Sequence, residues 1–238
     1  MTGGGPRARL ERLAEVYLTQ DRWRWLLSGL GSTLVLTLIA AVTGVMIGLV
    51  LSVIRMAWRA GAPIALLNLF AETYVTVVRG TPVTVQLMII YFGLFADLPV
   101  SRVLAAGLAF GINSGAYVAE IFRAGIESVD GGQMEAARSL GLPYLLAMRK
   151  VVLPQAFRNV LPTLVNEFIT LLKETAVAGY IAVEDLTREA NNIRTKTFDI
   201  GPLYVTALIY LVLVLLLTLL LRRVERKLRE GDRSQVNI

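Results

Sequence analysis

The sequence predicts an all-α integral membrane protein of five transmembrane helices, with one polar cytoplasmic loop between the third and the fourth. Three observations lead there. The 238 residues are 55% hydrophobic with a mean hydropathy of +0.61, and the apolar residues fall in long runs rather than at globular spacing. Several runs approach or exceed the ~18–20 residues that a helix needs to cross hydrocarbon. A polar stretch, residues 127–154, interrupts these runs and carries helix caps of its own. No soluble domain of useful size remains once the runs are assigned.

The leader, residues 1–25, is polar and mixed in charge, with no cleavable signal expected, because the first apolar run is far longer than a signal-peptide core. Leu10, Leu13, Val16, Tyr17 and Gln20 fall at helical spacing, so residues 9–19 read either as a short amphipathic helix at the membrane surface or as a frayed polar tail. The transmembrane domain is expected over residues 26–225. Its first span, about 26–54, is free of charge and ends at Arg55 and Arg59. Residues 63–95 are too long for one straight span and hold Glu72, Arg79 and a Gly80-Thr81-Pro82 break. Proline removes a helical donor there, so one kinked crossing is expected. Asp97-Leu98-Pro99 is a turn, and the third span follows over about 101–126.

The polar loop, 127–154, opens with Asp130 and Gln133 at capping-box spacing. Gly141 supplies a left-handed cap, Pro143 starts a second short helix ending near Lys150, and Pro154 restarts the chain into a fourth span over about 155–172. Residues 176–200 read as a polar excursion. The fifth span, 201–221, is the most uniformly apolar and ends in Arg222, Arg223, Arg226, Lys227 and Arg229, opening a cytoplasmic tail, 226–238. Five spans put the N-terminus outside and the C-terminus in the cytoplasm. That places 13 Lys/Arg inside and 10 outside, Arg79 uncounted, a weak bias in the expected direction that the basic leader opposes. A double crossing by 63–95 would move the leader inside.

Composition also excludes chemistry. Without Cys or His there are no disulfides, thiolate or imidazole metal sites, or Ser-His and Cys-His nucleophile pairs. None of the four lysines follows a glycine, so no phosphate loop of the Gly-Lys-Ser/Thr type exists. The net charge of +6 is explained by basic membrane-flanking loops, not by nucleic acid.

Polar residues nevertheless sit in periodic order inside the apolar spans. Asn159, Thr163, Asn166, Thr170 and Lys173 repeat at four and three, with Glu167 beside them; Asn113, Tyr117 and Glu120 do the same, with Ser114 adjacent. A charge at mid-membrane costs ~3 kcal/mol even on lenient insertion scales, so a shared water-accessible interior is expected. Asn, Ser and Thr serve equally well as interhelical hydrogen-bond glue, whereas a carboxylate such as Glu167 is a costly staple. Glu120 and Arg123, three apart, read as a local ion pair.

Glu135-Ala136-Ala137, three residues, Gly141, nine residues and Val151-Val152-Leu153-Pro154 resemble the EAA loop of ABC importer permeases, EAA-x3-G-x9-I-x-LP, with valine at the usual isoleucine. Arg79-Gly80-Thr81-Pro82 with Gln86, Asn113-Ser114-Gly115-Ala116-Tyr117 with Glu120 and Arg123, Gly132-Gln133, and Asn166-Glu167-Phe168-Ile169 with Lys173 resemble the polar amino acid branch. Thr76 departs from the acid common in such permeases. The resemblance covers roughly residues 26–225. It implies a type I importer-like fold in a bacterial inner membrane, and a partnership with a cytoplasmic ABC ATPase dimer, an extracytoplasmic amino acid binding protein and a second permease copy or paralogue. It implies that this chain binds no cofactor, ATP and Mg being used by the ATPase. Glu135, Ala136, Ala137, Leu140 and Gly141 are then the coupling helix, and Glu167, Asn113, Ser114, Tyr117 and Asn166 the substrate contacts, with arginine, lysine or histidine favoured. An ion-coupled transporter using Glu72, Glu120 or Glu167, and a non-transporting scaffold, are the competing readings.

Overall fold

A computed structural model describes residues 15–17 and 21–236. Among them all regular structure is helical. In chain order it comprises α1 (Arg22–Arg59), α2 (Ala65–Arg79), α3 (Val83–Ile90, prolonged by a π-helical turn, Tyr91–Phe95), α4 (Arg102–Glu127), α5 (Gly131–Ser139), α6 (Tyr144–Ala147, continued by a π-turn, Met148–Val152), α7 (Leu153–Glu174), α8 (Leu186–Thr197) and α9 (Gly201–Val236). A 3-10 stretch, Thr175–Ile181, follows α7.

Helix α1, helix α4 and residues 201–223 of α9 are long and apolar enough to cross a membrane. Helices α2 and α3 pass the same test together, but bend by 113° at residues 80–82. The expected kink is therefore a full break. Carbonyls at the break are met by two side chains: Thr81 Oγ1 donates to Val77 O (2.9 Å), and Gln86 Nε2 donates to Val78 O (2.7 Å) and Thr81 O (3.1 Å), while Gln86 Oε1 accepts from Asn113 Nδ2 on α4 (2.9 Å). Backbone groups left open in hydrocarbon would cost several kcal/mol each, a cost these bonds offset wherever a broken helix enters a membrane.

The centre of the fold is the α1–α4 pair. Gly107, Gly111 and Gly115 of α4 face Ile39, Thr43 and Ile47 of α1, and Gly44 and Gly48 of α1 answer with Ser114 and Val118 of α4. A Cβ at Gly111 would lie 2.6 Å from Thr43 Cβ, so these backbones approach as closely as glycine allows. In lipid, where apolar side chains gain nothing by leaving tails for one another, such close van der Waals contact holds helices together. Around this seam, Leu36 and Ala40 of α1, Ala106 and Phe110 of α4, Leu87 of α3 and Leu171 of α7 form one buried cluster with Ile181 and Val183. By contrast, α9 is exposed along Leu208, Leu211, Leu215 and Leu219, the pattern of a lipid-facing helix.

Three expectations change. Residues 176–200 are a packed element rather than a polar excursion. Asp185 caps α8, accepting from the amides of Thr187 (3.0 Å) and Arg188 (3.3 Å), and Leu186, Ala190 and Ile193 are buried against Leu26. The Asp185–Leu186 backbone sits where Gly29 leaves room, and Thr33 Oγ1 accepts from the Leu186 amide (3.1 Å). Burial raises the Asp185 carboxyl to about 6 against the opposing pull of its amide donors. Second, no capping box forms: Asp130 caps α5 through the Gly132 amide (2.6 Å), whereas Gln133 pairs with Gln155 (3.5 Å). Third, Pro154 restarts nothing. It opens the α-helical stretch of α7, but the helical path runs unbroken from α6 through the π-turn Met148–Val152 just before that stretch, where the proline's missing N–H falls. The leader lies mostly outside the described residues; Val16 and Tyr17 pack against the Leu26–Leu186 cluster.

Candidate functional site

Three helices carry polar stripes on their uncovered faces. On α7, Asn159, Thr163, Asn166, Thr170 and Lys173 are all exposed, while Ala156, Val160, Ile169, Leu171 and Leu172 on the other face are buried. On α2, Glu72, Thr76 and Arg79, at spacings of four and three, are exposed beside buried Val75. On α4, Tyr117 and Glu120 are half-buried between them. A cavity of about 780 Å³ joins the α2 and α4 stripes, and Glu120 is shared with a groove that reaches Asn159 and Thr163 of α7.

The sequence-predicted substrate residues divide into two groups. Ser114 Oγ donates to Glu167 Oε1 at 2.8 Å, bringing α4 and α7 together, and Asn113 is spent on Gln86. Asn113 and Ser114 are 2% and 1% exposed, so their polar groups are already satisfied between helices. Tyr117 and Asn166 stay accessible; the Tyr117 ring lies under the Arg79 guanidinium, 5.6 Å from ring centre to Cζ. Glu167 stands between these groups, half-buried with one carboxylate oxygen committed to Ser114.

Sequence reasoning paired Glu120 with Arg123 alone. The structure gives Glu120 three arginines: Arg123 through Nε (2.9 Å), Arg55 of α1 (3.7 Å) and Arg79 of α2 (3.8 Å). Glu127, two turns on, binds Arg59 of α1 (2.8 Å) and Arg123. The network thus ties three helices together at the end of α4 that leads into the polar loop. The α2 stripe was also missed, although Glu72 and Arg79 at a separation of seven residues show it.

In the polar loop, Glu135, Ala136 and Leu140 are exposed, Leu140 by 84%, whereas Ala137 is buried against the chain itself. Gly141 takes φ +84°, which a residue with a Cβ reaches only at a cost, and turns the chain sharply after α5. Leu145 extends the exposed apolar surface. Among the described residues no group of three or more Asp or Glu is placed to hold a metal.

Comparison with known proteins agrees with this arrangement. Residues 44–230 match the family of binding-protein-dependent transport system inner membrane components. The arginine transport system permease protein ArtQ of Bacillus subtilis (strain 168) is 43% identical over 217 residues, 87% of this chain and 94% of that one. The putative glutamine transport system permease protein GlnP of Rickettsia typhi (strain ATCC VR-144 / Wilmington) is 37% identical, over 86% of this chain and 93% of that one. The crystal structure of an amino acid ABC transporter with histidines superposes with a TM-score of 0.80 at 45% identity, over 86% of this chain and 94% of that one. With its apolar helices, packed glycine seam and polar stripes, the chain belongs to the binding-protein-dependent inner membrane components: it is a multi-pass ABC transporter permease of the polar amino acid importers, a type I importer-like membrane subunit and not an enzyme.

Proposed function

We propose that this permease forms the translocation pathway for a basic amino acid along the stripes of α2, α4 and α7. The observation that carries the reading is α7, whose five stripe residues are exposed opposite a buried apolar face. Lipid would penalise that face, so it borders water and a second permease, a copy or a paralogue. Helix α7 has 22 residues, about 33 Å of rise and enough to cross a bilayer. Counted with α1, the broken α2–α3, α4 and α9, it makes the fifth span, leaving the N-terminus outside and the C-terminus cytoplasmic.

Glu167 is the residue proposed to meet the substrate's cation. The names of relatives support a basic substrate in part: ArtQ is named for arginine and the superposed transporter for histidines, whereas GlnP is named for glutamine. Tyr117 and Asn166 remain open to contact, while Asn113 and Ser114 act through Gln86 and Glu167. Force would enter at α5. There Glu135, Ala136 and Leu140 face outward to dock in a groove of a cytoplasmic ATPase that uses ATP and Mg, Ala137 seats the helix on its own chain, and Gly141 ends it. An extracytoplasmic binding protein delivers the substrate at the α8 end.

Reconstitution with the ATPase and binding protein tests this. Glu167→Gln is expected to reduce uptake of arginine or lysine far more than that of glutamine. Equal loss for both classes would overturn the cation contact, and uptake persisting without the ATPase would overturn the ATP-driven reading.

A further inference from the structure

Arg79 ends α2 at the helix break, and the pathway described above gives it no task. Its guanidinium stacks on Tyr117 and lies 3.8 Å from Glu120, which Arg123 and Arg55 already engage. Among the described residues its side chain donates no hydrogen bond, and it is 41% exposed. Two turns back along α2, about 10 Å in rise, Glu72 accepts one bond from Asn68 (3.0 Å) on Oε1 and leaves Oε2 open. Both residues line the 780 Å³ cavity, which also holds Thr76 and Tyr117. Three arginines against Glu72 and Glu120 leave that cavity one positive charge in excess. A stacked guanidinium presents a fork oriented in advance for a carboxylate, which a lysine ammonium would not.

We propose that this cavity is a second subsite for a free amino acid, on the coupling-loop side of Glu167, in which Arg79 holds the α-carboxylate and Glu72 a cationic end of the ligand. Its position follows from α4: Tyr117 and Glu120 lie three and six residues beyond Ser114, the partner of Glu167, towards Glu127. The ion pairs of Glu120 with Arg55 and Arg123 hold the wall, and Arg79 stands at its open margin. The inference rests on the amino acid permease reading and adds a carboxylate partner on the α2 side of the pathway.

The test uses the permease assembled with its ATPase in lipid nanodiscs, without binding protein or ATP. Binding of radiolabelled L-arginine is compared with that of agmatine, which keeps the guanidinium and lacks the carboxylate. Arg79→Gln is expected to weaken arginine at one class of sites by about 10- to 100-fold and to leave agmatine unchanged, the loss of a charge-assisted hydrogen-bond pair. Arg79→Lys should recover part of the difference, and Glu72→Gln should weaken both ligands. Equal losses for arginine and agmatine in Arg79→Gln, or no loss, would overturn the subsite. Should Arg79→Gln fail to co-purify with the ATPase, Arg79→Lys decides: arginine affinity equal to wild type overturns the proposal. Wild-type complex that binds neither ligand would bring down the amino acid permease reading as well. Arginine binding lost in Glu167→Gln and unchanged in Arg79→Gln would overturn the second subsite alone.

Discussion

The two faces of α4 do opposite work with opposite means. Towards α1 the helix presents Gly107, Gly111 and Gly115, and rigidity comes from side chains that are absent. Towards α2 and α7 it presents Tyr117, Glu120 and Arg123, and the groups there are large, charged and half-exposed. The difference teaches how a permease of this size holds charged groups on a central helix. One seam is packed to the limit of backbone approach, so the other face can hold charge without the helices drifting apart. Ser114 and Asn113 sit at the border, buried and spent on Glu167 and Gln86.

The glycine face breaks with the largest effect. Gly111→Leu drives a Cβ to 2.6 Å from Thr43, and the helices must separate to admit it; destabilisation of about 3 kcal/mol or more is expected, read as a lower Tm in detergent. Gly31, with nothing within 4 Å, is the control: Gly31→Leu should leave the Tm within a degree or two.

If α5 is the docking helix proposed above, substitutions there should spare folding and remove transport. Gly141→Asp disturbs a φ of +84° at an exposed turn, and Glu135→Lys changes an exposed face of α5. Each is expected to cut uptake about tenfold or more while membrane insertion and Tm stay close to wild type, because neither touches the α1–α4 seam. Unchanged uptake in both would remove the coupling role of α5.

On the polar face, Glu120→Gln weakens one carboxylate shared by three arginines. A loss of about 1–3 kcal/mol is expected, since arginine charges are left with poorer partners. It should be smaller than the Gly111→Leu effect, and the reverse order would invert the comparison. The last effect concerns pH. The Asp185 carboxyl is raised to about 6 in the folded chain from an ordinary 3.8, so its contribution to stability is greatest below about pH 4. That contribution is lost as the unfolded state ionises first, over pH 4 to 6, and is constant above. Asp185→Asn keeps a capping oxygen and should flatten the Tm profile over that range; an unchanged slope would place the titration elsewhere.

Much of the fold was legible because hydrocarbon is an unforgiving solvent. The charge-free run ending at Arg55 and Arg59 and the uniformly apolar run after Gly201 announce spans, and Gly141 with Pro143 announces the turn after α5. The missed features depend on partners remote in sequence. Helix α8 carries its own signal, Asp185 followed by Leu186, Ala190 and Ile193, but many polar residues hide it. Gly107, Gly111 and Gly115 spell a close-approach motif whose partner, Ile39–Ile47, lies some seventy residues upstream. In the candidate site, spacing alone puts Glu167 and Ser114 beside the polar stripes. Their mutual bond, and the burial that takes Asn113 and Ser114 out of open contact, were not visible.

The sequence by itself determined that this chain crosses a membrane, carries a polar, capped segment at residues 127–154 and lacks a Gly-Lys-Ser/Thr loop, since each of these is a local matter of composition, spacing and caps. Only the tertiary structure decided which polar residues are used up and which remain available. Asn113 and Glu120 share a stripe, yet one is closed off by Gln86 from a broken helix while the other gathers arginines from α1 and α2. The physical reason is that periodicity assigns a residue to a face, whereas the free energy of a polar group in a membrane depends on what stands opposite that face.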